Sequence, residues 1–476
     1  MLFAAPVPEG TEVAVSEDPF PALWARAEAM RLWDHPVWWT LGHYHRTMWL
    51  RVESRVDDPR FFLAERGKVD RRAELRETLR QFTQPDPALA RGERSLACRF
   101  PARRRWLQEV LEMPETAFGS PDCESYAQVM AQLGLTQATV VYPSAYMNSP
   151  ASMFGHLLLV LDRAEKNRLL SRAVNYAAIV EDSFGPLFAF KGIFGLYDGV
   201  FAILPYAEKV EEYSAVNRRD IWEYPLALDA DAFDRMLRHV WELQELRSRY
   251  FFLKENCAFN LLYPVEAARP ELRLTRRFRA HAVPVGILRE LTQTGVTQEP
   301  VFRPSKSTQM AHLASLLDGE GQRRALALGR GAAVPDAEDT AVVLSLAVEI
   351  AQFDYTERRI SPEVYRERAL PLMRKRSRRG RVVVPPVPVP EPPHLAHGPR
   401  RVGVYAGRDR DGAGIVGGRF RVAYHDWLDL PRAMPPGAEI TFLEVDVRAD
   451  QDAERWHLHQ LTVVEIRSLT PHTLWA

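Results

Sequence analysis

The stretch TQATVVYPSAYMNSPASMFGHLLLVLD, residues 136–162, has the pattern of two β-strands joined by a loop. Its first part, ATVVYP, is rich in residues that favour strands, and its middle, SAYMNSPAS, contains turn-forming residues. The last part, GHLLLVLD, is a short apolar run, so we predict a second strand that begins at His156. A third strand is predicted at AVNYAAIV, residues 173–180, with Asn175 near its middle. Together these strands indicate a sheet.

Downstream of the strands, the sequence predicts a glycine-broken apolar segment and two helices. The apolar segment, residues 183–206, is interrupted by Lys191 and Asp198 and favours either sheet core or a hydrophobic wall for an acyl chain. Apolar residues recur every three or four positions across residues 231–253, which predicts a helix that continues to the sequence KENC. A second helix is predicted from CAFNLL to the proline of AARP. Cys257 would then lie at a helix N-terminus, where the helix dipole favours the thiolate.

The composition is that of a globular protein and argues against two broad classes. The chain has 476 residues, a length that is enough for two or three domains. Of these residues 46% are hydrophobic and 26% charged, as in ordinary globular proteins. Its 62 basic and 62 acidic side chains balance, so no overall charge favours nucleic-acid binding. No apolar run reaches the roughly 20 residues that a membrane-spanning helix needs. The start, MLFAAPVPEG, resembles the end of a secretory signal but lacks its basic and long apolar regions.

The chain has three cysteines, Cys98, Cys123 and Cys257, so one thiol remains if two of them pair. Cys98 and Cys123 lie in neighbouring polar segments and lack the closely spaced CxxC pairs of a zinc site. A disulfide between them in an exported protein is the favoured interpretation, and it would stabilise the fold by about 2–4 kcal/mol. The alternative is a cytosolic protein in which both cysteines are unpaired and buried.

Changes in pattern along the chain predict a mixed α+β fold in five regions. His35, His43 and His45 lie among tryptophans in the first of these, which favours aromatic packing over metal binding. The regions are a helical N-terminal region (1–95), a domain that carries the candidate catalytic residues (96–310), a helical extension (311–373), a basic and proline-rich linker (374–400) and a β-rich C-terminal region (401–476).

Three residues have the side chains that thiol chemistry needs. Cys257 is the candidate nucleophile, His156 the candidate base, and Asn175 a candidate amide that orients the histidine ring. Backbone N–H groups at the start of the Cys257 helix are expected to stabilise an oxyanion. The alternative is that Cys257 is a small buried residue without catalytic function.

Further polar residues surround these three in the sequence. Arg219, Asp220 and Glu223 are expected to form a structural ion-pair cluster. No sequence pattern indicates a metal site, a phosphate loop or a dinucleotide fingerprint, so no cofactor is predicted. The candidates for substrate contacts are Tyr142, Ser144, Asn148, Ser152 and Asn256. Loop or helix capping explains the small polar residues among them equally well.

Six blocks of the sequence resemble, in order, the Lnb-type N-terminal periplasmic domain family, long catalogued as a domain of unknown function. They are YPSAYMNSPASMFGHLLLVLD, VNYAA, FKGIFGLYDG, RRDIWEYPL, ENCAFNLLYPVEAARP and FRPS. The resemblance implies a circularly permuted relative of papain-type NlpC hydrolases, in which histidine precedes cysteine along the chain. It assigns Cys257 as the nucleophile and His156 as the base. Asn175 is inferred from its strand alone.

The resemblance also implies a function. Members of the family with an assigned activity resemble lipoprotein N-acyltransferases, which move an acyl chain from a phospholipid to the N-terminus of a lipoprotein. The expected partners are therefore phospholipid, lipoprotein and a membrane surface, in the periplasm or at the outer membrane. Two alternatives stay open, a cell-wall cysteine peptidase or amidase and a non-catalytic envelope scaffold. An apolar trough beside Cys257 would favour acyl transfer, and a narrow polar cleft would favour the peptidase.

Overall fold

The computed structural model divides into two compact units, residues 1–128 and 129–476. The residues that it describes are 18–84, 96–113, 118, 124–144, 155–163, 170–180, 185–216, 218–278, 281–333, 339–380, 384–408, 412–430, 432–434, 437–450, 456–469, 473 and 475. The predicted α+β class is confirmed, with helices at the N-terminal end and a small sheet at the C-terminal end. The permuted papain-like arrangement remains a prediction.

The first unit is helical, as expected, with a short β-hairpin. The predicted aromatic packing is confirmed, because the His35 ring lies 5.4 Å from that of Trp106 and the His43 ring lies 5.8 Å from that of Phe61. Its helices are α1 (Phe20–Ala29), α2 (Pro36–Leu41), α3 (Arg71–Thr83), α4 (Leu96–Arg99) and α5 (Pro101–Val110), and its strands are β1 (Tyr44–Arg46) and β2 (Val52–Ser54). Helix α6 (Glu124–Leu133) spans the division between the units.

An antiparallel sheet organises the second unit, with seven strands in the part of the chain that the structure describes. Its strands are β3 (Leu135–Pro143), β4 (Leu158–Arg163), β5 (Arg172–Ala178), β6 (Tyr197–Pro205), β7 (Ile221–Pro225), β8 (Arg247–Tyr250) and β9 (Val301–Arg303), in the spatial order β8-β6-β5-β4-β3-β7-β9. The three predicted strands are confirmed as β3, β4 and β5, and Asn175 is at the middle of β5. His156 lies two residues before β4 rather than within it.

Helices of the second unit surround and extend this sheet. They are α7 (Gly185–Phe194), α8 (Tyr206–Val210), α9 (Ala230–Leu243), α10 (Cys257–Asn260), α11 (Leu262–Ala268), α12 (Pro284–Gln293), α13 (Lys306–Ser315), α14 (Gly319–Gly329), α15 (Ala341–Thr356) and α16 (Pro362–Arg378). Val141, Leu158, Val160 and Ala173 of the sheet pack with Tyr206 of α8. Helix α10 packs against β5, which brings Cys257 to the strand that carries Asn175.

Two of the expected elements in this unit are correct only in part. The segment 183–206 is not continuous sheet, because α7 occupies its first half and ends at Phe194. Gly195, whose φ of +68° suits glycine, follows the helix before β6 begins. The helix predicted over residues 231–253 ends at Leu243, and the chain then forms β8. Strand β8 pairs with the edge of β6, where Tyr197 lies opposite Tyr250. The backbone hydrogen bonds of this pairing outweigh the helical periodicity of the sequence.

The C-terminal part of the second unit contains a helical cluster and a second sheet. Helices α14 and α15 approach so closely that a Cβ on Gly329 would lie 2.7 Å from the carbonyl oxygen of Ala347. The basic residues 374–378, expected in a linker, instead form the last turns of α16, where positive charge suits the helix C-terminus. The expected C-terminal β region is confirmed as the antiparallel meander β10 (Arg401–Arg408), β11 (Gly414–His425), β12 (Ala438–Asp450) and β13 (Trp456–Ser468).

Candidate active site

Cys257 is a buried, free thiol at the first residue of α10. Asn256 caps this helix: its Oδ1 accepts hydrogen bonds from the backbone N–H groups of Ala258 and Phe259, both at 3.1 Å. The Asn256 Nδ2 donates to the carbonyl oxygens of Phe252, at 2.9 Å, and Ala282, at 2.7 Å. These four bonds use the full hydrogen-bonding capacity of the amide. Asn256 therefore fixes the position of Cys257, and capping explains it better than a substrate contact.

The structure brings His156 and Asn175 together with Cys257. The Nε2 atom of His156 lies 2.7 Å from Oδ1 of Asn175, and both side chains are buried. Because an amide oxygen can only accept, Nε2 carries the proton of this hydrogen bond. The Nδ1 atom of His156 is then the ring nitrogen left for acid–base chemistry, and the ring is also hydrogen-bonded to the Cys257 thiol.

The environment of Cys257 favours its thiolate. Burial alone would raise the pKa of the thiol. The charge and hydrogen bond of His156 oppose this effect, as do hydrogen bonds that the Leu157 N–H and the Tyr250 hydroxyl donate to the sulfur, and together they lower the pKa to about 7. Burial lowers the pKa of His156, yet the negative charge on Cys257 and the bond to Asn175 raise it overall. The two groups therefore stabilise each other as a thiolate–imidazolium pair.

Tyr250 is a site residue that the sequence did not indicate. The backbone N–H of Cys257 donates to the Tyr250 hydroxyl oxygen at 3.1 Å, and the hydroxyl proton points to the Cys257 sulfur. Its ring stacks on that of Tyr176 at 5.6 Å. Burial and the charge on Cys257 raise the pKa of Tyr250 well above its usual value, so the hydroxyl stays protonated. Tyr250 was missed because β8 was predicted as helix.

The expected oxyanion donors are already in use. The N–H groups of Ala258 and Phe259 bind the Asn256 cap, and that of Cys257 binds the Tyr250 hydroxyl. Because each N–H has one proton to donate, the donors left facing the sulfur are the Tyr250 hydroxyl and the Leu157 N–H.

Arg219 is a buried cation beside this site. Its Nε donates to the carbonyl oxygen of Ser144 at 2.5 Å, its Nη2 donates to that of Pro143 at 2.8 Å, and its guanidinium lies 5.1 Å from the ring centre of Tyr213. The positive charge of Arg219 contributes to lowering the pKa of His156. Arg219 therefore holds the end of β3 and adds positive potential, a different role from the expected ion pair.

The other two members of the expected ion-pair cluster connect β7 to later parts of the chain. Glu223 pairs with Arg303 of β9 at 2.7 Å, which fits the structural role that we expected. Asp220 accepts hydrogen bonds from the Ser305 N–H and the Thr308 hydroxyl, both at 2.7 Å.

The remaining predicted residues have mixed outcomes. Tyr142 is buried against Gly155, where an added Cβ would lie 2.3 Å from the tyrosine ring, and the Tyr424 hydroxyl donates to its oxygen. Ser144 is held through its backbone by the bond from Arg219. Cys98 is buried. Asn148, Ser152 and Cys123 lie outside the described residues, so their roles, including the disulfide, remain predictions.

An apolar surface lies on α7, which packs beside the segment that precedes Cys257. The Phe252 N–H donates to the Gly192 carbonyl oxygen at 2.9 Å, and the Phe252 ring lies 4.9 Å from that of Phe188. On the other side of the helix Phe190 and Phe194 are 53% and 59% exposed, with ring centres 4.6 Å apart. Exposed aromatic pairs of this kind are rare on surfaces that face only water.

Four family models match parts of the chain. Residues 125–294 match the model of the Lnb N-terminal periplasmic domain. Residues 30–110, 300–388 and 390–476 match three domains of unknown function, DUF7843, DUF7842 and DUF7840. No curated protein and no solved structure gives a significant match. None of the described helices has the length and hydropathy to span a membrane. Residues 125–294 thus match the Lnb N-terminal periplasmic domain family, and this match indicates a periplasmic, envelope-associated protein.

Proposed function

We propose that the domain of residues 125–294 is a thiol-dependent acyltransferase of the bacterial envelope. It would move an acyl chain from a phospholipid to an amine such as the N-terminus of a lipoprotein, at a membrane surface. The observation that carries the proposal is the Cys257 thiol, whose pKa is lowered to about 7 beside a histidine that Asn175 orients. A hydrogen-bonded thiol–imidazole pair also favours chemistry over a purely structural scaffold.

The first step would transfer the acyl chain to the enzyme. The Cys257 thiolate attacks the ester carbonyl carbon, the ester C–O bond breaks, and His156 Nδ1 gives its proton to the leaving oxygen. A lysophospholipid leaves and a thioester forms on the sulfur. As the sulfur loses its charge, the Tyr250 hydroxyl that pointed to it is available to stabilise the negative carbonyl oxygen.

The second step would deliver the chain to the acceptor. The amine attacks the thioester carbon while His156 Nδ1 takes one of its protons. The amide bond forms, the C–S bond breaks, and the thiolate–imidazolium pair is restored. A peptidase would use the same groups on a peptide bond. The exposed phenylalanines of α7 favour the acyltransferase, because an acyl donor needs an apolar surface and α7 contacts Phe252, five residues before Cys257.

Intact mass after incubation with phospholipid vesicles tests the proposal. We expect wild type to gain one acyl group that neutral hydroxylamine removes, as a thioester requires, and we expect Cys257→Ser to gain no adduct that neutral hydroxylamine removes. His156→Ala should form the adduct about 10²–10⁴-fold more slowly, because it lacks the acid–base group. His457→Ala is a matched control, since His457 is exposed on β13.

A short activated ester, tested in parallel, separates the alternatives. An adduct from the short ester but none from vesicles would favour the peptidase. If neither donor gives an adduct and a small alkylating agent fails to modify Cys257, the scaffold is the better description.

A further inference from the structure

A second histidine cluster lies where the segment before β10 meets the end of β11. The Nε2 atom of His397 lies 2.8 Å from Nδ1 of His425, and Oδ2 of Asp429 lies 3.8 Å from the first nitrogen and 3.9 Å from the second. The two histidines are 28 residues apart in the sequence, which explains why no ligand spacing was evident. We refer to these three residues as the His–Asp cluster.

The three atoms are arranged as ligands of one cation would be. Zinc binds histidine nitrogen and carboxylate oxygen at about 2.0–2.2 Å, so two tetrahedral ligands lie about 3.3 Å apart. The observed separations of 2.8, 3.8 and 3.9 Å scatter around that value. His397 Nδ1 also lies 2.7 Å from the carbonyl oxygen of Gly398. A proton on Nδ1 for this bond leaves the Nε2 lone pair facing the cluster, as for a metal-bound histidine.

Guanidinium groups match the carboxylates around the cluster. The carboxylates are Asp426, Asp429 and Glu444, and the guanidinium groups that pair with them belong to Arg401, Arg419 and Arg421. Two of these guanidinium groups also bind Asp426, since Arg421 Nη1 lies 2.7 Å from Asp426 Oδ2 and Arg401 Nη1 lies 3.0 Å from Asp426 Oδ1. A cation could therefore take the Asp429 Oδ2 lone pair that Arg421 Nη2 uses, without leaving Arg421 unpaired.

The backbone that carries the cluster is firmly held. Arg289 of α12 donates to the carbonyl oxygens of Ala396 and His397, and the Tyr224 hydroxyl of β7 lies 3.1 Å from Nδ1 of His394. These contacts place the His397 segment against the seven-stranded domain, and β11 contacts the same domain through the bond from Tyr424 to Tyr142. A cation coordinated by both His397 and His425 would cross-link the two segments at this point.

We propose that His397, His425 and Asp429 bind one divalent transition-metal cation, of which zinc is the best match, with water as the fourth ligand. The site is structural and links the segment before β10 to β11. It is independent of the thiol chemistry proposed for Cys257.

Metal titration of the full chain tests this proposal. Untagged protein is stripped with chelator, dialysed, and titrated with Co²⁺ while the visible absorption of the ion is recorded. We expect one Co²⁺ per chain with a tetrahedral spectrum, displaced by one equivalent of Zn²⁺. His397→Gln and His425→Gln should each weaken binding at least about 10-fold. His457→Gln, on an exposed strand of the same sheet, should bind as wild type does.

Thermal unfolding gives a second measurement on the same samples. Zn²⁺ should raise the Tm of wild type and of His457→Gln, because a ligand that binds only the folded state stabilises it, and it should leave the Tm of His425→Gln unchanged. Circular dichroism identifies any variant that has not folded, and His397→Gln, at a partly exposed position, then serves as the second test. The proposal is overturned if wild type binds no stoichiometric metal, or if folded His397→Gln and His425→Gln bind it as tightly as wild type.

Discussion

The second unit contains two histidine clusters whose surroundings differ. The thiol cluster, Cys257, His156 and Asn175, has one acid–base pair oriented by a neutral amide. The His–Asp cluster is embedded in guanidinium–carboxylate pairs, with Arg421 fully buried among them. In the thiol cluster a proton can transfer between the histidine ring and the thiol. In the His–Asp cluster the carboxylates are held in ion pairs with arginines.

The pKa shifts of the two histidines express this difference. Burial lowers the pKa of His156, but the charge and hydrogen bond of Cys257 together with the hydrogen bond to Asn175 outweigh burial and raise the pKa overall. Burial also lowers the pKa of His425, and the neighbouring His397 lowers it further. The same side chain thus favours imidazolium beside a thiol and neutral imidazole beside a second imidazole. Burial acts in the same direction on both rings, so the difference between them comes from their neighbours.

The comparison predicts that stability depends mainly on the ion pairs around the His–Asp cluster. Arg421→Met leaves Asp426 and Asp429 without a buried partner and should lower the free energy of unfolding by about 3–5 kcal/mol. Chemical denaturation with intrinsic fluorescence measures this change. Arg432→Met removes an exposed pair with Glu391 and should cost about 0–1 kcal/mol. Equal losses in the two variants would show that the buried pairs have no special weight.

Activity should depend mainly on the thiol cluster, including the residue that sequence did not indicate. Tyr250→Phe keeps the ring stacked on Tyr176 but removes the hydroxyl beside the Cys257 sulfur, and it should lower kcat about 10²-fold with little change in KM. The measurement is the rate of acyl-adduct formation at saturating donor. Tyr365→Phe, which removes a hydroxyl remote in sequence from the site, is the control. A Tyr250→Phe enzyme with wild-type kcat would reduce Tyr250 to a packing role.

The smallest effect, and the sharpest test of the pairing, is the pH dependence of thiol reactivity. Alkylation of wild-type Cys257 should increase with pH through a midpoint of about 7. In His156→Ala the midpoint should move to higher pH, because burial, which raises the pKa, is then no longer opposed by the imidazolium. His425→Gln should keep the wild-type midpoint. If the midpoint of His156→Ala were the same as that of wild type, the thiolate–imidazolium pair would be wrong.

Much of the thiol cluster could be predicted from local patterns. The β-branched run of β3, the turn residues before His156 and the short apolar run of β4 give the strand–loop–strand unit, and Asn256 before CAFN marks the helix start at Cys257. The period of residues 231–253 gave α9 correctly but extended it over β8. Local propensity contains no information about an unpaired sheet edge elsewhere in the fold, such as the edge of β6 that β8 joins. Tyr250 was therefore placed on a helix and its role was missed.

Local sequence patterns were sufficient to predict the α+β class, the three strands around His156 and Asn175, the helix start at Cys257 and the C-terminal sheet, because each depends on patterns within about 10 residues. They could not predict that Tyr250 contacts the thiol, that Arg219 binds the end of β3, or that His397 lies against His425. These contacts join segments that are distant in the chain, and their energies depend on burial and on neighbouring charges. Such quantities exist only after the chain has folded.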